Sequence, residues 1–171
     1  GIIGASNAFN MLAGFNGLEA GLGFVLLSGM GLYGLVHGEI PAAIIAFTMA
    51  AALLGFLAVN WYPAKILPGD SLVYTIGATA AVVAIIGNME KFAIYSFTPW
   101  FLEFLLKLRS GFKAENYGML QADGTLKSRY QKTFSLTHLV MKLGRFREWQ
   151  VSLILILFER AVVSASFILI Q

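Results

Sequence analysis

Three asparagines and a glutamate lie among glycines and alanines in the stretch NAFNMLAGFNGLEAG, residues 7–21. Asn7, Asn10, Asn16 and Glu19 offer amide and carboxylate oxygens, and the glycines between them let a ligand approach the backbone closely. Hard cations such as Mg²⁺ prefer oxygen ligands of this kind. Because a long apolar run follows at once, the stretch predicts a polar site at the border of a membrane.

The composition restricts the class of protein and the kind of metal site. The 171 residues are 58% hydrophobic and 12% charged, with a mean hydropathy of +0.75, which is typical of a chain that crosses a membrane several times. The absence of cysteine excludes disulfides and thiolate sites, and His37 and His138 are too far apart in the sequence to suggest a histidine cluster. Any metal ion should therefore have oxygen ligands, with Mg²⁺ expected and Mn²⁺ as the alternative.

The apolar runs predict an all-α fold, a polytopic transmembrane helical bundle that forms one membrane domain over residues 1–171. About 20 apolar residues cross the hydrocarbon core. Five spans are predicted, at residues 17–36, 41–60, 71–86, 92–108 and 151–170. The fourth should kink at Thr98-Pro99, because proline removes a backbone hydrogen bond. Glu159 and Arg160 fall within the last span, where charges are costly, and we expect them to pair with other helices.

The only long polar segment, residues 109–148, is predicted to be a cytoplasmic loop inserted in this domain. Asp123-Gly124 stands between two short alternating runs, which indicates a β-hairpin. Ser135 is a suitable N-cap for an amphipathic helix that lies at the membrane surface. The predicted apolar face of that helix comprises Leu136, Leu139, Val140, Leu143 and Phe146.

Charge predicts the orientation of the chain. Nine of the twelve Lys and Arg residues lie in 107–147, and Lys65 follows the second span, whereas Lys91 is on the opposite side. The positive-inside rule assigns both basic segments to the cytoplasm. Two predicted spans separate Asn10 from Asp70, so both residues should lie at the same face of the membrane. We therefore expect one cleft there that holds Mg²⁺ and a polyanion such as a diphosphate. The alternative is that the loop cations contact anionic lipid headgroups.

Together with NWYPAKILPGDS at residues 60–71, the opening motif resembles the polyprenyl-phosphate N-acetylhexosamine-1-phosphate transferases of glycosyltransferase family 4. The chain is most similar to the archaeal and eukaryotic branch, because Ala13 and Asn16 replace two aspartates of the bacterial branch and Glu19 follows. The resemblance implies a ten-helix fold of which these spans form the C-terminal half. It also implies transfer of GlcNAc-1-phosphate from UDP-GlcNAc to dolichyl or another polyprenyl phosphate with release of UMP, the first step of lipid-linked oligosaccharide assembly for N-glycosylation.

The resemblance implies roles for five residues of the two motifs. Asn10 and Asp70 are expected to be catalytic and to hold Mg²⁺. Gly14 and Asn16 are expected to contact the uracil, and Leu67 takes the place of an apolar residue against that ring. The active site should face the cytoplasm, in an archaeal cell membrane or, for a eukaryotic chain, in the endoplasmic reticulum.

Two departures from the family qualify these expectations. The family has a basic His- or Arg-rich motif in its diphosphate loop, whereas this chain has GFKAENYGML, so the substrate-binding residues expected there are Lys113, Asn116 and Arg129. The family also has an Asp-Asp pair on an earlier helix, and this chain contains no adjacent aspartates. We therefore expect residues 1–171 to be inactive alone and to need an N-terminal half, encoded upstream or on another chain.

Several alternatives remain at the level of sequence. The enzyme could use another UDP-sugar, or the chain could be a non-catalytic module such as half of a transporter with Asp70 on a permeation path. The expected partners are the UDP-sugar, the lipid phosphate, the bilayer and the missing half, with a homodimer also considered. A nucleic-acid partner is not expected.

Other polar residues have structural explanations. Glu19 is expected to orient the asparagine turn by hydrogen bonding, and Asn7 either caps a helix or contacts substrate. Glu103 precedes Lys107 by four residues, which is the spacing of an ion pair within a helix. His138 is predicted to lie at the polar border of the amphipathic helix.

Overall fold

The computed structural model describes residues 1–170, in which eight helices accompany one two-stranded sheet. They are α1 Ile2–Met11, α2 Leu18–Val36, α3 Ile40–Asn60, α4 Gly69–Ile86, α5 Glu90–Ser96, α6 Thr98–Leu108, β1 Gly118–Leu120, β2 Leu126–Ser128, α7 Leu136–Leu143 and α8 Glu148–Leu169. Among the described helices four, α2, α3, α4 and α8, are long and apolar enough to cross a membrane. The third predicted span is longer than expected, since α4 begins at Gly69 and has 18 residues.

α2 is the helix on which the bundle is assembled, and it contacts α3, α4, α5 and α8. Its glycines allow this, because they remove side chains where neighbouring helices approach. A Cβ at Gly23 would lie 2.8 Å from Ile76 of α4 and 3.0 Å from Leu53 of α3, and one at Gly21 would overlap Ile156 of α8. Small residues thus allow close helix packing around α2.

The predicted fourth span is interrupted in the structure. α5 ends at Ser96 and α6 begins at Thr98, because Pro99 has no N–H for the carbonyl of Tyr95. The Thr98 hydroxyl donates to that carbonyl instead. The position of the predicted disruption is confirmed, but the expectation of one continuous helix is wrong, and the segment consists of two short helices.

α1 was not predicted, because asparagine, glycine and serine have low helix propensity. Tertiary packing stabilises it: Phe9 is buried, with its ring centroid 5.8 Å from that of Phe97 and 4.3 Å from that of Trp100. Asn7 lies inside this helix and its amide donates to the carbonyl of Ile3 at 2.8 Å. The interpretation of Asn7 as a helix cap is therefore wrong.

The loop contains both predicted elements. β1 and β2 pair antiparallel around the Asp123-Gly124 turn. The Thr125 hydroxyl and N–H both donate to Asp123, and these bonds hold the pKa of the exposed carboxyl below its usual value. Ser135 accepts a hydrogen bond from the N–H of Thr137 at 3.2 Å and caps α7 as expected.

The burial of α7 differs from the prediction. Leu136 and Val140 are buried, whereas Leu139 and Leu143 are exposed. Only part of the predicted apolar face is therefore in the protein interior. His138 is fully buried, which makes its assignment to a polar border wrong. Burial lowers the pKa of His138, and the ring packs beside Tyr130 at a centroid distance of 5.2 Å.

The two charges of α8 do not pair as expected. Glu159 is fully buried and neither of its carboxyl oxygens has a hydrogen-bond partner in the described part of the chain, while Arg160 is exposed. Consecutive residues of a helix point in different directions, so one side chain faces the bundle and the other faces outward. The expectation of an ion pair with other helices is wrong for the described residues.

Candidate functional site

Ends of α1, α2 and α4 and the loop after α6 enclose a cavity of about 530 Å³. It brings together six of the eight residues expected to form the site, namely Asn10, Gly14, Asn16, Leu67, Asp70 and Asn116. Lys113 and Arg129 are not among the residues that line it. A second cavity, of about 660 Å³ and almost wholly apolar, lies between α1, α4, α5 and α6.

Asn10 and Asp70 lie at neighbouring helix ends. Asn10 belongs to the last turn of α1 and Asp70 to the first turn of α4, and both side chains are exposed. The Asn10 amide donates to the Tyr74 hydroxyl at 3.2 Å, which orients the side chain and leaves its carbonyl oxygen without a donor among the described residues. One amide and one carboxylate oxygen fit Mg²⁺, which takes its other ligands from water and phosphate.

A chelating cluster of the type that binds zinc is not found in the described residues, since no three His, Cys, Asp or Glu side chains are grouped for a metal. The donor set at the cavity is therefore sparse and made of oxygen. This chemistry matches a magnesium ion that is held jointly by protein and a phosphate-bearing ligand.

Side chains of α2 and α3 accept hydrogen bonds from the backbone of the turn between α1 and α2. Glu19 accepts a hydrogen bond from the N–H of Gly14 at 2.6 Å, which confirms the expectation that it orients this turn. The buried Asn60 accepts one from the N–H of Gly17 at 3.2 Å and donates to the carbonyl of Ile66 at 2.9 Å. Asn60 thus couples the turn to the segment that carries Leu67.

Asn16 is held by two residues of α8. Its N–H donates to Glu148 at 2.9 Å, and its carbonyl accepts from the Ser152 hydroxyl at 3.0 Å. These two residues and Asn60 were not predicted from the sequence. Glu148 and Ser152 are four residues apart and so share one face of a helix, but nothing local links that face to a turn 132 residues earlier.

Asn116 ties the loop to the same turn. Its amide donates to the carbonyls of Met11 at 2.9 Å and Ala13 at 2.8 Å, and its backbone carbonyl accepts from the Thr137 hydroxyl at 2.8 Å. Both N–H donors of the amide nitrogen are therefore used in hydrogen bonds to the backbone. Asn116 lines the cavity and also holds the turn that forms part of its wall.

Replacing Asn116 with aspartate is expected to detach the loop from the turn, because a carboxylate cannot donate to the two carbonyls and would be repelled by them. We expect a loss of stability of about 2–4 kcal/mol, measured as a lower denaturation temperature in detergent. Gln131→Glu makes the same amide-to-acid change at an exposed loop position and should leave the denaturation temperature unchanged. An Asn116→Asp protein with normal stability would contradict this role.

The cations of the loop are arranged differently from the expectation. Arg129 pairs with Glu115 at 2.7 Å on the rim, and Lys113 is exposed, so a substrate role for either stays a prediction. Lys107 lines the cavity instead. Its predicted ion pair with Glu103 is confirmed, at 3.9 Å. The spacing of the two residues revealed the pair but gave no sign that the lysine faces a cavity.

Comparisons with known proteins identify chains of similar sequence. A protein of Saccharolobus solfataricus named as a putative UDP-N-acetylglucosamine–dolichyl-phosphate N-acetylglucosaminephosphotransferase is 44% identical over 152 residues, which cover 88% of this chain and 47% of the relative. A Sulfolobus acidocaldarius protein of the same name is 38% identical, over 88% of this chain and 46% of the relative. A phospho-N-acetylmuramoyl-pentapeptide-transferase of Listeria welshimeri is 30% identical over 89% of this chain and 44% of the relative.

The chain spans about half the length of the curated relatives that it matches. The profile of glycosyl transferase family 4 matches residues 1–88, a range that contains Asn10, Asp70 and the turn between α1 and α2. The chain therefore belongs to glycosyl transferase family 4.

Proposed function

We propose that this chain is the C-terminal half of a Mg²⁺-dependent enzyme that transfers GlcNAc-1-phosphate from UDP-GlcNAc to dolichyl or another polyprenyl phosphate and releases UMP. The observation that carries the proposal is one cavity that combines Asn10 and Asp70 with Gly14, Asn16 and Leu67. The names of the archaeal relatives support the choice of substrates.

The proposed reaction joins an oxygen of the lipid phosphate to the β-phosphorus of UDP-GlcNAc and breaks the bond between that phosphorus and the oxygen that leaves with UMP. Asn10 and Asp70 would hold Mg²⁺, which when bound neutralises charge on the diphosphate. The chain itself supplies orientation: the α1–α2 turn is held by hydrogen bonds from other elements, so binding the nucleotide need not order it.

Leu67 and Asn16 suit the contacts of a planar base. Gly14 has a φ of +116°, and a Cβ there would lie 2.8 Å from the ring of Tyr117, so glycine lets that ring pack against the turn at the cavity wall. Leu67 presents an exposed apolar side chain to the same cavity. Asn16 offers an amide that can both donate and accept, as uracil requires.

The position of the cavity supports an enzyme over a transporter half. Transporters have their substrate groups near the middle of the membrane, in broken helices, whereas Asn10 and Asp70 belong to terminal turns of α1 and α4. The basic loop beside the cavity favours a cytoplasmic active site. The adjacent apolar cavity between α1 and α6 has the chemistry to accommodate a polyprenyl chain, and the relatives suggest an archaeal cell membrane.

The proposed activity needs a second half, with or without homodimerisation. The chain spans about half of its relatives and contains no Asp-Asp pair. We infer that the remaining residues complete the site and that residues 1–171 have no activity of their own.

The test is UMP release from membranes that contain the protein at the full length of its relatives, with UDP-GlcNAc and a short polyprenyl phosphate as substrates. We expect release that depends on Mg²⁺ and stops with EDTA, and none from residues 1–171 alone. UDP-glucose and UDP-MurNAc-pentapeptide test the sugar. Failure of every UDP-sugar would contradict the transferase assignment, and turnover by residues 1–171 would contradict the need for a second half.

A further inference from the structure

Within residues 1–170, Lys107 is the one Lys or Arg side chain that lines the 530 Å³ cavity. The acidic residues that line it are Glu19, Asp70 and Glu115, and Glu115 is already paired with Arg129. A wall with this excess of carboxylates repels a polyanion unless cations compensate. Beside the Mg²⁺ proposed at Asn10 and Asp70, Lys107 is the protein cation in position to do so.

The ammonium of Lys107 is held in place yet keeps its hydrogen-bond donors. Its Nζ lies 3.9 Å from Oε1 of the fully buried Glu103, which is an ion pair without a hydrogen bond. The side chain is 14% exposed, and no residue in 1–170 accepts a hydrogen bond from Nζ. Since an ammonium has three donors and no acceptor, these donors are available to an anionic ligand.

Glu103 is fixed by the start of α7. Its Oε2 accepts from the Ser135 hydroxyl at 3.1 Å and from the N–H of Leu136 at 2.7 Å. The carboxylate therefore cannot move toward Lys107 without losing these two bonds. The Glu103 carboxylate attracts the Lys107 ammonium to one position but accepts no hydrogen bond from it.

From this geometry we propose that Lys107 binds a phosphate oxygen of the substrate in the cavity and that Glu103 is its positioning residue. The inference rests on the proposed function and adds the cation that the loop sequence left undecided. The ligand chemistry is a phosphate oxyanion, which belongs either to the diphosphate of the UDP-sugar or to the lipid phosphate. Lys113 and Arg129, which are outside the lining, are not needed for this contact.

Kinetics of Lys107→Met and Lys107→Arg in the full-length protein test the proposal. Losing a charge-assisted hydrogen bond should raise one KM about 10- to 100-fold, and arginine should restore most of the loss. A higher KM for UDP-GlcNAc assigns the contact to the diphosphate, and a higher KM for the polyprenyl phosphate assigns it to the lipid. Lys91→Met, at the opposite ends of the helices, should change neither.

Unchanged KM values in Lys107→Met would overturn the proposal, as would a larger effect of Lys113→Met. Absence of UMP release from the wild-type protein would instead count against the proposed function. Because Lys107→Met could impair folding, acetylation of the wild-type lysines provides a second measurement. UDP or polyprenyl phosphate should protect Lys107 at least several-fold relative to Lys91, and protection by neither ligand overturns the inference.

Glu103→Gln separates positioning from structural support. Glutamine keeps an acceptor for the Ser135 hydroxyl and the Leu136 N–H but removes the charge that attracts Lys107. We expect the same KM to rise about 2- to 5-fold while kcat and the denaturation temperature stay near the wild-type values. An unchanged KM would show that Glu103 supports α7 only and would remove its positioning role.

Discussion

Replacing Asp70 with asparagine is expected to reduce Mg²⁺-dependent UMP release by the full-length protein at least about a thousandfold. The substitution keeps the shape of the side chain but replaces the carboxylate that we propose to hold Mg²⁺ with a neutral amide. The measurement is kcat/KM for UDP-GlcNAc over a series of Mg²⁺ concentrations, and we expect no recovery at high Mg²⁺.

Moving the carboxylate from position 70 to position 10 is a further test of this prediction. Combining Asn10→Asp with Asp70→Asn returns one carboxylate to the pair of helix ends and should recover part of the lost activity. Asp123→Asn, on the exposed hairpin turn, makes the same chemical change outside the cavity and should leave the activity unaltered. Activity of Asp70→Asn within about threefold of wild type, far below the loss expected for a metal ligand, would contradict the proposed role of Asp70.

Gly77→Ala is expected to separate the two helices that carry Asn10 and Asp70. A Cβ at Gly77 would lie 2.5 Å from the carbonyl oxygen of Ala5 and 2.6 Å from Cα of Ser6, and these are backbone atoms that cannot rotate away. α1 must therefore shift from α4. We expect a stability loss of about 1–3 kcal/mol and roughly a 10- to 100-fold loss of activity, with a higher Mg²⁺ requirement.

The matched control for Gly77 is Gly55→Ala in α3. A Cβ at Gly55 would have no atom of residues 1–170 within 4 Å, so the substitution should be neutral or stabilise the helix by up to about 1 kcal/mol. Denaturation temperature and Mg²⁺ dependence of UMP release are measured on both variants. Wild-type behaviour of Gly77→Ala in both assays would show that the α1–α4 contact is not what positions the two oxygen ligands.

Polar side chains that bond to backbone give the cavity its shape. Asn60, Asn116 and Glu148 lie far apart in the sequence, and each bonds to the backbone of residues 11–17. In a low-dielectric bundle, breaking such a bond leaves an unsatisfied polar group and costs more than the bond contributes in water. The turn between α1 and α2 is thus specified by the whole fold.

Signals that depend on neighbouring residues were sufficient for much of the architecture. Apolar runs of about 20 residues predict spans because hydrocarbon excludes unsatisfied polar backbone. Asp123-Gly124 predicts the hairpin through its turn preference, and Ser135 predicts the start of α7 through its cap. The Thr98-Pro99 pair predicts where a helix is disrupted, and the two opening motifs predict the family.

Long-range packing decided what local signals could not. α1 forms in spite of weak propensity because Phe9 packs against Phe97 and Trp100, and His138 is buried because the loop folds back over α6. The spacing of Glu103 and Lys107 predicted an ion pair but gave no sign that the lysine lines the cavity. By itself the sequence determined four of the five predicted membrane spans, the hairpin turn and the family, since each is encoded within a few neighbouring residues or one hydrophobic period. Only the tertiary structure decided which cation lines the cavity and which distant side chains hold its turn, because those contacts join residues up to 136 positions apart.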